Sequence, residues 1–568
     1  MSKCKHTALA ILATMIILVL PVPSVAAADP SEPLVQRIEA LDGLSVQVLG
    51  EPLLARDALR RFYENHGFQP AWSSPGHRQE LVEAIRQIAN DGLNPADYHG
   101  EILPALALRA RDDLSGDMRA DIDLLFTDAF LLAASHLLEG KVNPETIHAE
   151  WNASRQHRDL AITLAEALRN DTIAATLDSL RPTHPAYARL MEARTRLTPL
   201  LGHPWLPIAD GPSIHPGDQD PRLPEIRRRL TTLGDIPAPA DPETAVTDPV
   251  LYSKDLNSVI PSFQMRHGLK PDGIIGRKTL AAMNLMPVER IGQIDASLER
   301  WRWLPQSLGD DYVIVNIAGF GLQLVLDGRE ALRSRVIVGR PYRQTPVFSD
   351  RIRYLVFNPT WTAPRKLIIE DLLPQIIRDP AYLDRQDISV YRGWGANRQK
   401  IDPAAIDWSS LSRDNFSYQL VQEPGPLNAL GRVKFMFPNP YAVYLHDTPS
   451  QHLFGRQERS FSSGCIRVEK PMELAEQLLA GAPEWNRGTI DRLLEKKTPV
   501  TVMLPEPIPI YIQYWTAWVD EAQRIQFRDD IYNRDFRLLA QLRQAVSGKH
   551  QLPTPVVATD LTPTTGDQ

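Results

Sequence analysis

The spacing of apolar residues changes once along the chain, and that change constrains the fold more than any other feature. Up to about residue 290 apolar residues recur every three to four positions, the period of an amphipathic helix. Leu54, Ala58 and Phe62 set one such face, Leu81, Ile85 and Ile88 another, and Asp117 to Leu138 a longer one halted at Gly140. From about Ile291 the period shifts towards two, the signature of strands. Segments 312–317, 322–326, 335–338, 352–357, 433–437 and 442–445 carry it, with Asp327-Gly328 as a tight turn between the second and third. A chain with both patterns in separate blocks predicts an α+β multidomain protein. At 568 residues with 43% apolar content, it has room for two to four cores.

Finer divisions follow from punctuation. Residues 29–203 read as a mostly helical domain. Pro, Gly and Asp enrichment over 204–222 reads as a linker. Residues 223–290 form a compact three-helix pattern, started by Pro224 and built on Ile226, Leu230 and Leu233, then on Leu256, Ile260 and Phe263. Residues 291–535 form the β-rich domain. Its strand signal lapses between Trp361 and Arg432, and 365–428 reads as an insertion capping one end of the sheet, long for a passive loop. Ile510 to Trp518 and Arg524 to Phe527 read as a hairpin. Residues 536–568 read as a C-terminal helix and a Pro/Thr-rich disordered tail.

The start reads as an export signal at 1–28: Lys3 and Lys5, an apolar run from Ala8 to Leu20, then the small residues Ser24 to Ala28. Thirteen apolar residues are short for a bilayer span of about 20, so cleavage is expected, with an uncleaved inner-membrane anchor as the alternative. Net charge is −7, with 62 basic and 69 acidic residues intermixed. Without a basic block, a nucleic-acid partner is not expected. The cysteines are Cys4 and Cys465, and cleavage would leave Cys465 alone in an oxidising compartment, where an unpaired thiol argues for chemical use.

Cys465 lies in Ser462-Ser463-Gly464-Cys465-Ile466-Arg467, nineteen positions after His446. A thiolate is the attacking form of cysteine, and an imidazole can take its proton. A free thiol titrates near ~8.5, and a neighbouring imidazolium is expected to lower this to ~7 or below. Gly464 permits a sharp turn that could aim peptide N–H groups, with Ser463 beside it, at a developing oxyanion. Arg467 falls on the same face as Cys465 if the segment is extended, offering a fork to a carboxylate. The bland alternatives are a buried structural cysteine, a surface ion pair for Arg467, and core positions for Tyr444 and Trp361, which otherwise shape the pocket. His66, His77, His99, His136 and His148 show no mutual spacing that suggests a site.

This motif resembles that of the L,D-transpeptidase family, an upstream histidine followed by Ser-His-Gly-Cys-x-Arg, with Ser463 standing where the family has a second histidine. Gln69-Pro70-Ala71-Trp72 and Asp91-Gly92-Leu93-Asn94-Pro95-Ala96-Asp97-Tyr98 resemble the scaffold of a large branch of that family. Phe263-Gln264, Gly268-Leu269 and Asp272-Gly273-Ile274-Ile275-Gly276 leading to Thr279-Leu280 resemble a small peptidoglycan-binding module. The resemblance implies a periplasmic acyltransferase with Cys465 as nucleophile, His446 as base and no cofactor. Its partners would be peptidoglycan stem peptides, a tetrapeptide donor losing D-Ala and a diaminopimelate side-chain amine as acceptor, giving 3→3 cross-links; carbapenems would acylate it. An L,D-carboxypeptidase or amidase, a zinc site at His446, His452 and Cys465, and a non-catalytic wall-binding scaffold are the competing readings. Papain-type enzymes have the opposite order of cysteine and histidine.

Overall fold

The computed structural model describes residues 31–42, 46–109, 114–147, 158–237 and 248–546. The expected signal segment 1–28 with Cys4, His148 and the expected tail from 547 lie outside the described residues. No helix among them is long and apolar enough to cross a membrane.

The N-terminal block is helical, as its periodicity predicts. Helix Gly116–Glu139 runs through its centre, buried on nearly all sides. Ser115 caps its start by accepting from the Met118 N–H at 3.3 Å, and Gly140, at φ +84°, ends it. Helices Arg56–Asn65, Pro75–Gln87 and Leu160–Arg169 pack around it. Of the scattered histidines, His99 sits between Asp128 and Glu51, His77 meets Asp171, and His136 meets Tyr98. Each is a local packing partner, and none lines the cleft described below.

The small domain consists of helices Leu223–Thr232, Lys254–Arg266 and Arg277–Asn284 around Ile226, Leu230, Leu256, Ile260, Phe263 and Met283. Its sequence motif has a structural cause. The Gln264 amide donates to Ile274 O at 2.9 Å and accepts from the Gly273 N–H at 2.9 Å, pinning the turn between the last two helices. Residues 204–222 are not a free linker. Ile208 and Ile214 are buried in the same core, and Ile214 pairs with Ile275. Two apolar residues dock a stretch whose composition alone reads as loop.

A second correction concerns the start of the β-rich domain. Residues 287–302 are helix Pro287–Arg302, not strand. Ile291, Ile294, Leu298 and Trp301 follow helical spacing, and the helix joins the scaffold to the sheet. Glu299 accepts from the Val142 N–H at 2.7 Å, and the Trp303 indole donates to Val142 O at 3.0 Å.

The sheet then closes on itself. Strands Arg329–Gly339, Ile466–Val468, Leu445–His446, Val433–Met436, Phe348–Phe357, Val500–Gln513, Tyr312–Asn316 and Gly321–Leu326 form a ring, the last pairing back with the first. Strand Ser460–Ser462 adds outside it, along Val338–Gly339. Ile510 to Gln513 thus belong to the ring, and the hairpin is Ala517–Val519 with Ile525–Phe527.

The insertion has its own four-stranded sheet, in the order Trp361–Thr362, Tyr418–Gln422, Ile388–Arg392, Gln399–Ile401. It also has its own core, including Ile376, Leu383, Val390, Trp408 and Leu420. Its first strand begins before residue 365.

Candidate active site

Three neighbouring strands of the ring set the site. Lys434 lies opposite His446 in an antiparallel pair, and His446 beside Arg467 in a parallel one. Register partners project from the same face, so two cations flank the imidazole. Cys465 immediately precedes strand Ile466–Val468, two residues before Arg467. A cleft of about 920 Å³ opens over them. It is lined by Trp361, Tyr444, His446, Ser463, Cys465 and Arg467, the candidates the sequence proposed apart from Gly464, and also by Arg343, Lys366, Arg534 and Arg537.

His446 is buried, and its Nδ1 lies 2.5 Å from Asp447 O. A carbonyl only accepts, so Nδ1 carries the proton and Nε2 keeps its lone pair. The Asp447 carboxylate does not reach the ring. It accepts from the Arg432 N–H at 2.9 Å and the Thr448 N–H at 2.7 Å, fixing the loop whose carbonyl orients His446. Burial, with the nearby Arg467 guanidinium, pushes the His446 pKa down to about 3. The resting imidazole is therefore neutral.

The thiol of Cys465 donates weakly to Ala442 O at 3.7 Å. Ala442 has a left-handed backbone, φ +52°, in a turn stitched by Asn439, whose amide donates to Phe437 O and Val443 O. Burial raises the Cys465 pKa above the ordinary thiol range. Hydrogen bonds from the Tyr444 N–H and hydroxyl, and the charges of Arg467 and Lys434, oppose that rise. This reverses the expected imidazolium-lowered thiol: with His446 neutral, there is no imidazolium to lower it. At rest the thiol is protonated and the imidazole neutral, so the two do not form an ion pair.

Gly464 has φ +120°, a conformation that side-chain-bearing residues rarely adopt. The turn is what the sequence predicts, but its amide is not free for an oxyanion. The Gly464 N–H donates to Ser462 Oγ at 3.2 Å, and that hydroxyl donates to Cys465 O at 2.5 Å. Ser463 Oγ accepts from Arg343 at 3.1 Å. Arg343 in turn grips Asp371 and, at 2.6 Å, Glu370 of the insertion. Arg467 lines the cleft, and its Nε is buried with no hydrogen-bond partner among the described residues. Lys434, half-buried 5.5 Å from the Tyr444 ring, was not singled out from the sequence. Its place opposite Val433 and Phe435 in a period-two segment was the available signal.

His452 is exposed and does not line the cleft. Among the described residues no group of three or more His, Cys, Asp or Glu stands close enough to hold a metal.

Comparison with known proteins agrees with this geometry. Residues 310–502 match the family model described as the L,D-transpeptidase catalytic domain (YkuD). Residues 219–283 match "Putative peptidoglycan binding domain", and 57–193 match a scaffold domain. A stretch of 225 residues is 41% identical to a Haemophilus influenzae protein named "Putative L,D-transpeptidase", covering 39% of this chain and 44% of that relative's length. Solved L,D-transpeptidases from Mycobacterium smegmatis (12% identity, 36% of this chain and 58% of that one, TM-score 0.18) and Xylanimonas cellulosilytica (14%, 54% and 100%, TM-score 0.17) are too distant in shape to add to this. By its domain matches the chain carries a YkuD-type L,D-transpeptidase catalytic domain at 310–502, preceded by regions that match a scaffold domain and a peptidoglycan-binding domain.

Proposed function

We propose that this protein forms 3→3 cross-links in peptidoglycan through a thioester on Cys465. The observation that carries the reading is one cleft holding a thiol, a neutral histidine whose Nδ1 is tied to a carbonyl, and an arginine whose buried Nε has no hydrogen-bond partner among the described residues. Outside the cytoplasmic membrane there is no ATP, so a new amide must inherit the energy of one that is broken. Cys465 Sγ attacks the carbonyl of the third residue of a tetrapeptide stem as His446 Nε2 takes the thiol proton. The C–N bond to D-Ala breaks, and the imidazolium protonates the departing amine. The acyl group remains as a thioester. A diaminopimelate amine from a second stem then loses a proton to His446 and attacks, and Cys465 leaves with its proton restored.

The groups around the sulfur suit both steps. The Tyr444 hydroxyl, Lys434 and Arg467 favour the sulfur as it gains charge, and Arg467 suits a stem carboxylate. The insertion limits access of water, which competes with the acceptor amine. Arg343 ties that insertion to the nucleophile turn. The peptidoglycan-binding domain, matched as such, would hold the enzyme at its polymer, consistent with a periplasmic location after export.

The test is mass analysis of muropeptides after purified protein is incubated with tetrapeptide-rich wall material. New dimers joined through two diaminopimelate residues, absent with Cys465→Ala, are expected. Tripeptide without dimer would assign an L,D-carboxypeptidase instead, and no turnover a wall-binding scaffold.

A further inference from the structure

The nucleophile turn is held from behind by Thr345, which is itself braced by residues outside the matched catalytic region. Thr345 is fully buried, between strands Arg329–Gly339 and Phe348–Phe357. Its hydroxyl donates to Gly464 O at 2.8 Å and accepts from the Gly339 N–H at 2.9 Å. Gly464 O belongs to the peptide unit that leads into Cys465. That unit is planar and trans, so fixing its carbonyl fixes the Cys465 N–H in the opposite direction. One hydroxyl therefore sets how the nucleophile is presented.

Thr345 is itself held by the chain's last described segment. The Tyr532 hydroxyl donates to Gly339 O at 2.5 Å and accepts from the Thr345 N–H at 3.3 Å, closing both ends of the 339–345 turn. The turn has no slack: a Cβ on Gly339 would stand 2.1 Å from Arg343 O. Arg534 donates to Thr345 O at 3.1 Å and Gln344 Oε1 at 3.0 Å, lying over the rings of Tyr514 and Tyr532. The segment is anchored in turn. The Tyr532 N–H donates to the Tyr514 hydroxyl at 3.0 Å, and Asp535 pairs with Arg300 at 2.5 Å. At the far end of helix Arg534–Leu542, Lys141 of the scaffold donates to Leu542 O and Gln544 O, both at 2.8 Å. A buried polar network of this kind holds one geometry, because any shift leaves unpaired groups.

We propose that Tyr532 is a positioning residue for the reaction, acting through Thr345 on the Gly464–Cys465 peptide, so that a segment beyond the matched catalytic region forms part of the active site. This rests on Cys465 being the nucleophile. The test uses the full chain carrying Tyr532→Phe, Thr345→Val, the pair together, and Thr345→Ser. Three readings are taken on each: kcat and KM on a tetrapeptide stem, the pH midpoint for alkylation of Cys465 by iodoacetamide, and the thermal midpoint.

Expected are a fall of about tenfold in kcat for Tyr532→Phe and for Thr345→Val, with KM within twofold, and a moved alkylation midpoint. Thr345→Ser, which keeps the hydroxyl, should stay near wild type. The double variant should be no worse than the weaker single, as for two members of one relay. If Thr345→Val does not fold, Tyr532→Phe decides by the same criteria. Unchanged kcat and alkylation midpoint in folded Tyr532→Phe would overturn the proposal, as would effects that simply multiply in the double. Cross-linking that survives Cys465→Ala would instead overturn the functional reading. The alkylation midpoint would still report on the brace.

Discussion

Arg343→Met tests whether the insertion guards the thioester. Arg343 is 8% exposed and joins Ser463 of the nucleophile turn to Glu370 and Asp371 of the insertion. Methionine keeps much of the aliphatic bulk and removes the fork. The two carboxylates are 47% and 33% exposed, so water can take up much of what the guanidinium gives them. Discounted for that screening, each pair contributes roughly 0.5–1 kcal/mol to docking of the insertion. Together they come to about 1.4 kcal/mol, a tenfold shift in the closed-to-open ratio. Hydrolysed tripeptide relative to cross-linked dimer, measured by mass spectrometry of the products, should rise by up to about tenfold. Asp371→Asn, which removes one charge, should give about threefold. Ser463→Ala, which loses the turn contact alone, should lower the total rate without moving the ratio. An unchanged ratio in folded Arg343→Met would refute the claim that this ion-pair cluster controls access of water.

Other outcomes follow from the resting state of the pair. Alkylation of Cys465 in the unliganded protein should increase only above the ordinary thiol range, with no plateau near neutral pH; such a plateau would show a stored thiolate–imidazolium pair. His446→Ala and Cys465→Ser should each cut cross-linking by orders of magnitude, with the double variant little worse than either, as liquid chromatography of muropeptides would show. His446 stays neutral down to about 3, whereas an unfolded imidazole titrates near ~6.5. The unfolded chain therefore binds the extra proton in that window. This contribution is full above ~6.5 and is lost as pH falls toward 3, at up to ~1.4 kcal/mol per unit, and denaturant titrations of His446→Gln should show a flatter acid limb. Gly464→Ala meets no clash, since the new Cβ would be 3.8 Å from Gln344 O. Its cost is backbone strain of about 1–3 kcal/mol, and stopped-flow acylation should slow at least tenfold.

The site was partly legible in the sequence because strand ends and a glycine turn hold Cys465, His446 and Arg467 together. Residue type and spacing carry that information. The role of Asp447 was not legible, because the group that orients His446 is a main-chain carbonyl and the carboxylate serves elsewhere. Lys434 escaped because its importance comes from register with His446, a relation between distant strands. The electrostatics of the thiol were misread for a related reason: spacing reports which charges are near, while burial decides whether those charges form. In the fold, the helical block and most ring strands followed their periods; 442–445, read as strand, is instead a turn with a left-handed Ala442 that leads into strand Leu445–His446. Helix Pro287–Arg302 was hidden by its position at the change of period, and 204–222 by loop composition that outweighed Ile208 and Ile214.

The proposed function depends most on an acyl group becoming attached to Cys465. A carbapenem presents a strained, activated carbonyl and needs no acceptor amine, so it isolates the first half-reaction. Reduced, folded protein incubated with the drug, digested and analysed by mass spectrometry should show one intact drug added to the peptide containing Cys465. The adduct should be absent from Cys465→Ala and strongly slowed in His446→Ala. Folded, reduced wild-type protein with no adduct on that peptide, or with an equal adduct in Cys465→Ala, would contradict the acyl-enzyme on which the proposed function stands.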